Sequence, residues 1–115
     1  MKQLIILIGI VLIGVQTGFA QKKQIEKDTI QVAGICEQCK ERIEDAAFSK
    51  GVKSAEWNKD TKNLVLVFDR NKTTLRTIET RIAKAGHDAG TVKALPADYQ
   101  KLPSCCAYKT QQVGH

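Results

Sequence analysis

Polar and apolar side chains alternate through Thr29, Ile30, Gln31 and Val32, the period of a strand covered on one face. Ala33-Gly34-Ile35 then turns the chain. From Glu37 to about Ser49 the apolar positions fall four apart, at Cys39, Ile43 and Ala47 with Ala46 beside them, which is the stripe of an amphipathic helix. Lys50-Gly51 ends that helix, glycine being suited to the left-handed conformation beyond a helix end. Val52 to Trp57 predicts a second strand with Ala55 and Trp57 on one face. Turn-forming residues from Asn58 to Asn63 lead into Leu64-Val65-Leu66-Val67-Phe68, the strongest strand signal in the chain. The two make a hairpin, with Trp57 and Phe68 as core residues. Thr73 or Thr74 caps a second helix, in which Leu75, Ile78, Ile82 and Ala85 recur at three- and four-residue steps until Gly86. Thr91 to Ala94 completes the pattern as a short last strand.

The predicted order is strand, helix, strand, strand, helix, strand, a ferredoxin-like βαββαβ sandwich of the α+β class with two helices on one face of an antiparallel sheet. Residues 28–94 form this domain. Residues 95–115 are an extension carrying Cys105-Cys106, in which Pro96 starts a helical turn through Lys101 and Gln111 to His115 are disordered. Residues 21–27 are a polar, flexible segment. Residues 1–20 break the pattern: Lys2, then the apolar run Leu4 to Val15, then small residues at Gly18 and Ala20. These are the parts of a secretory signal cleaved after Ala20, and the run is shorter than the roughly 20 residues that span a membrane. The expected location is therefore outside the cytoplasm, in the periplasm or beyond.

Composition changes this picture little. The 115 residues carry 18 basic and 12 acidic side chains, net +6, and removal of the leader takes only Lys2 from that charge. So short a chain buries one thin core, which disfavours an elaborate enzyme. Basic and acidic residues are interspersed, and Phe48, Trp57, Phe68, Tyr99 and Tyr108 show no stacking pattern, which sets nucleic acid aside. No Ser/His/Asp set, paired-carboxylate site or phosphate loop is evident.

The chemistry lies in the cysteines. Disulfides are open to all four after export, but two tight pairs, Cys36-Glu37-Gln38-Cys39 and Cys105-Cys106, constrain little backbone. With Cys36 in the turn and Cys39 in the first helical turn, both sulfurs can address one spot beside unpaired helix N–H groups, which lowers thiol pKa values. Two soft thiolates suit Cu(I) better than calcium or magnesium, and a closed zinc site needs four ligands.

Val32 to Ile43 with its CxxC, Gly51-Val52, and Ala85-Gly86-His87-Asp88-Ala89 together resemble the heavy-metal-associated domain over residues 28 to 94. That family includes copper chaperones, metal-binding repeats of copper-transporting ATPases and a periplasmic mercury-binding protein. The resemblance implies that Cys36 and Cys39 are metal ligands. His87 falls in the loop adjoining the site, either as an exposed cap residue after Gly86 or as a third ligand. The chain departs from the family's Gly-Met-x-Cys-x-x-Cys by lacking the methionine and one residue, and Ile35 stands as the replacement hydrophobic anchor. Similar Leu-Pro-x-Cys-Cys-x-Tyr tails occur on some secreted bacterial members. Cys105 and Cys106 are then further ligands if the tail folds back, or disulfide partners of the first pair.

The expected function is an exported, non-enzymatic metal-binding protein. It captures Cu(I), or Hg(II), Zn(II) or another thiophilic ion, and buffers it or passes it by ligand exchange to a donor or acceptor protein such as a metal-transporting ATPase. Lys40, Arg42, Lys50 and Lys53 are either a docking face for an acidic partner or an ordinary solvated surface. A monomer and a metal-bridged dimer both fit. The competing expectation is a thiol-disulfide oxidoreductase using Cys36 as nucleophile and Cys39 as resolving thiol. Against it, Pro96 and Pro103 leave no proline in the domain for the cis-proline loop of thioredoxin-like proteins.

Overall fold

The computed structural model describes residues 23–111. The expected signal segment, residues 1–20, and the last four residues lie outside the described part. The centre of the sheet is β3 (Asn63–Asp69), the most apolar strand, whose Leu64, Leu66 and Phe68 are fully buried on one face. On one side it pairs antiparallel with β1 (Ile25–Gln31), from Ile25 opposite Asp69 to Gln31 opposite Asn63. On the other it pairs antiparallel with β2 (Val52–Trp57), giving the order β1-β3-β2. A register shift between Val52 and Ser54 lets Val52 share the inner face with Ala55 and Trp57, which strict alternation would forbid.

Two helices cover this face. Helix α1 (Glu37–Ala47) buries Cys39, Ile43 and Ala47, and α2 (Leu75–Lys84) buries Ile78 and Ile82. Each fully enclosed aliphatic side chain contributes about 1.5–3 kcal/mol. Thr74 is the N-cap of α2, its hydroxyl accepting from Thr77 N–H. The fold is thus the expected α+β, ferredoxin-like arrangement, with three differences from the sequence reading.

First, β1 begins at Ile25, so Ile25 to Lys27, expected to be flexible, are paired with β3. A strong central strand orders a neighbour whose own side chains are mostly polar, because the pairing is between backbones. Second, α1 stops at Ala47, and Gly51 takes its positive φ of 91° in the turn into β2. Third, Thr91 to Ala94 form no ladder. Only isolated bridges occur there, Val32 with Ala89 and Ala89 with Val92. Side chains have taken the N–H groups: Glu79 accepts from Thr91 N–H at 2.5 Å and Asp88 from Ala94 N–H at 2.8 Å. Gly90, at φ 54°, leaves the space that the Glu79 carboxylate fills.

Beyond the domain, α3 (Pro96–Tyr99) is the expected turn after Leu95, a 3-10 turn covers Ser104–Cys106, and α4 (Tyr108–Gln111) follows. Among the described residues no helix is long and apolar enough to cross a membrane.

Candidate metal centre

The loop between β1 and α1 rests on Trp57. That side chain is buried and its indole N–H donates to Val32 O at 3.0 Å, fixing the start of the loop. Gly34 follows because nothing larger fits: a Cβ there would meet the Trp57 ring at 3.0 Å and Cys39 Cβ at 3.1 Å. Ile35 packs partly buried against the core, as an anchor in the missing methionine's place would.

Cys36 is the N-cap of α1. In extended conformation its sulfur accepts from Cys39 N–H at 3.3 Å, the position that serine, threonine or aspartate oxygen takes in most helices. The two sulfurs lie 3.0 Å apart. Burial pushes the Cys36 thiol up, but hydrogen bonds from the Cys39 thiol and N–H, and from the Cys106 thiol, outweigh it and hold Cys36 below the ordinary thiol range. The capping position thus favours the thiolate form of Cys36.

The tail brings in a third sulfur. Cys106 Sγ lies 3.5 Å from Cys36 Sγ, and the ligand atoms of Cys36, Cys39 and Cys106 all fall within 4.8 Å of one another. Cys39 and Cys106 are fully enclosed and Cys36 is half-buried, so the cluster opens on the Cys36 side. Burial, then the neighbouring sulfurs of Cys39 and Cys36, push the Cys106 thiol far up, making it the proton donor of the group.

The other two candidates stand apart. Cys105 is exposed, its thiol donating to Gln38 Oε1 at 2.8 Å and lying 4.0 Å from Cys106 Sγ. His87 is not in the sulfur cluster and is not exposed. It is fully buried, with Nδ1 2.7 Å from Ala33 O and its ring stacked on Tyr108. Its Nδ1 carries the proton donated to Ala33 O, and Nε2 is buried without a partner among the described residues. Burial, then the nearby Arg42 charge, hold its pKa down against the Ala33 bond and Asp88. A glycine at 86 with φ 106° turns the histidine inward.

Tyr108 was legible in the sequence only as an aromatic of the tail, yet it carries the tail's attachment. Its hydroxyl donates to Gly86 O and accepts from Asp88 N–H, each at 3.1 Å. Of the basic residues near α1, Lys40 bonds Glu44 and Trp57 O, and Arg42 donates to Ala85 O, so both hold the fold together.

Residues 29–88 match the model of the heavy-metal-associated domain, just over half the chain. The chain belongs to this family. Solved structures similar to it include the CopZ metallochaperone, 26% identical over 56% of this chain and 98% of that one, TM-score 0.54. A putative copper-ion-binding protein from Bacillus anthracis str. Ames is 26% identical over 59% and 99%, TM-score 0.56. The N-terminal domain of the zinc(II) ATPase ZiaA, in its apo form, is 30% identical over 58% and 65%, TM-score 0.50. No curated protein sequence matches this one. In this heavy-metal-associated protein Cys36 and Cys39 fall within the matched segment, whereas Cys105 and Cys106 lie beyond it.

Proposed function

We propose that the protein is an exported carrier, not an enzyme, that takes up Cu(I) or a similar thiophilic ion on Cys36 and Cys39 and buffers it or hands it on. The observation that carries this reading is the helix-capping Cys36 thiol, held low in pKa, 3.0 Å from Cys39. Soft sulfur ligands select soft cations over calcium or magnesium, and the half-buried Cys36 side gives an incoming thiolate an approach path. The likenesses to a metallochaperone and to a domain of a metal ATPase support handing-on as the task and a metal-transporting ATPase as a partner of the right class. Export rests on the composition of residues 1–20, and the carrier works as a monomer unless an ion bridges two copies.

The oxidoreductase reading is not favoured. Cys39 is fully enclosed, where a resolving thiol must meet a mixed disulfide, and both prolines lie in the tail. The test is a titration of the reduced whole chain with Cu(I), Zn(II) and Hg(II) against competing chelators. Tight binding of a soft ion, lost in Cys36→Ser/Cys39→Ser, is the expected result. Failure to bind any of the three, or rapid turnover of a disulfide substrate, overturns the reading.

A further inference from the structure

The tail is fastened at points that involve no cysteine. Tyr108 is buried, holds Gly86 O and Asp88 N–H through its hydroxyl, stacks on His87 with ring centroids 5.7 Å apart and meets the Tyr99 ring edge-on at 5.1 Å. Leu102 fills the space beside Gly86, so closely that a Cβ there would come within 2.8 Å of Leu102 Cδ2. Cys106 lies between these two anchors, its N–H donating to Pro103 O at 2.8 Å and its side chain enclosed against α1. A thiol held in this way is in position before an ion arrives. Binding then escapes most of the entropy cost of ordering a free tail.

Resting on the carrier reading above, we infer that the metal centre is a three-thiolate site in which Cys106 is the third ligand beside Cys36 and Cys39. The tail beyond residue 95 is thereby part of the centre. Geometry favours three sulfurs over two. With metal–sulfur bonds of about 2.3 Å, two thiolates on opposite sides of an ion stand about 4.6 Å apart, whereas three in a plane stand about 4.0 Å apart. Cys36 and Cys39 start at 3.0 Å, and Cys39 is enclosed by the core, so the linear pair demands the larger displacement. Cys106 already lies 3.5 Å from Cys36, and no pair among the three sulfurs exceeds 4.8 Å.

The ion class follows from the donor set. Cu(I) and Hg(II) are soft cations that three thiolates can satisfy. Zn(II) prefers four ligands, and the remaining thiol, Cys105, is exposed and bonded to Gln38. As the ion binds, each ligand still carrying a thiol proton releases it to water and its sulfur lone pair forms the metal bond. On transfer an incoming thiolate forms one bond, one protein–metal bond breaks, and the freed sulfur takes a proton from water. No electron changes hands.

X-ray absorption on the Cu(I)-loaded whole chain counts the sulfurs directly, and chelator competition gives the affinity. Three copper–sulfur bonds are expected in the parent and in Cys105→Ser, and two in Cys106→Ser, with affinity at least about 10-fold lower. Tyr108→Phe keeps every thiol but loosens the anchor, and is expected to lower affinity while leaving the reduced protein folded by circular dichroism. Two sulfurs in the parent, or unchanged count and affinity in Cys106→Ser, overturn the three-thiolate site while leaving the carrier reading intact. Absence of both Cu(I) and Hg(II) binding by the parent overturns the three-thiolate site, and failure to bind Zn(II) as well overturns the carrier reading.

Discussion

The loop and helix that carry Cys36 and Cys39 sit on Trp57 and share its burial with β3, whereas the segment carrying Cys105 and Cys106 touches the domain through Tyr108, Leu102, the enclosed Cys106 sulfur and the exposed Cys105–Gln38 bond. The first region is held by the same contacts that hold the fold. The second is expected to let go without unfolding the sheet, since it belongs to neither the ladder nor the two main helices. Placing ligands on both gives a site with two fixed sulfurs and one on a separable arm. Such a site can grip an ion with three thiolates and still offer a low-cost way to free one.

The largest effect that tests this contrast is expected at Trp57. Trp57→Ala removes the floor of the loop, the bond to Val32 O and a full core side chain, and costs about 3–5 kcal/mol in denaturant unfolding. Protection of β3 amides and of α1 should fall together. Tyr108→Ala is expected to cost about 2 kcal/mol, near the worth of its two hydroxyl hydrogen bonds, because the tail detaches rather than drawing the domain with it. Hydrogen exchange then speeds at Cys106 and Ala107 while Leu64 to Phe68 keep their protection. Equal loss at both sets of amides would mean that the tail and domain are one cooperative unit.

A smaller effect, confined to the first region, is expected from Gly34→Ala. The added methyl comes within 3.0 Å of the Trp57 ring and 3.1 Å of Cys39 Cβ, and the ring is pinned by its own hydrogen bond. Overpacking of this kind costs about 1–3 kcal/mol. Because the strain falls on Cys39, metal affinity should drop with stability, whereas Thr74→Ala, which removes the α2 cap, should cost about 1 kcal/mol and leave affinity unchanged. Chelator competition on the two variants separates strain at the site from loss of stability.

The same division governs what the sequence discloses. Leu64 to Phe68, the stripe of α1, the Thr74 cap and the CxxC at a helix start are local patterns, and local patterns set those elements. The loss of the expected last strand at Thr91 to Ala94 was not legible, because N–H groups there go to Glu79 and Asp88, polar side chains whose inward turn no periodicity reveals. Nor was the burial of His87, whose ring stacks on Tyr108 from 21 positions away. The usable signal was a tyrosine two residues after the second cysteine of the tail. An aromatic with a hydroxyl handle suits a half-polar anchoring point.

The smallest effect concerns pH, and it runs through the contact that joins the two regions. His87 is neutral: its Nδ1–H donates to Ala33 O, and a proton on Nε2 would be a buried charge with no acceptor among the described residues. Burial and Arg42 keep its folded pKa below the ordinary 6.5, while Asp88 and the Ala33 carbonyl oppose them. Above that ordinary value neither state binds the proton, and stability is indifferent to pH through this group. As pH falls below about 6.5 the unfolded chain takes up a proton that the folded chain refuses, so stability falls, by at most about 1.4 kcal/mol per pH unit, until the folded pKa is passed. Once His87 is charged, the ring stacked on Tyr108 is the one that must find solvent, and the tail is the part able to move aside. Urea unfolding from pH 7 to 5.5 should therefore show a slope that His87→Gln flattens, with exchange at Cys106 and Ala107 rising before that of β3. A slope unchanged in His87→Gln would place the acid sensitivity elsewhere and break the link between this histidine and the arm.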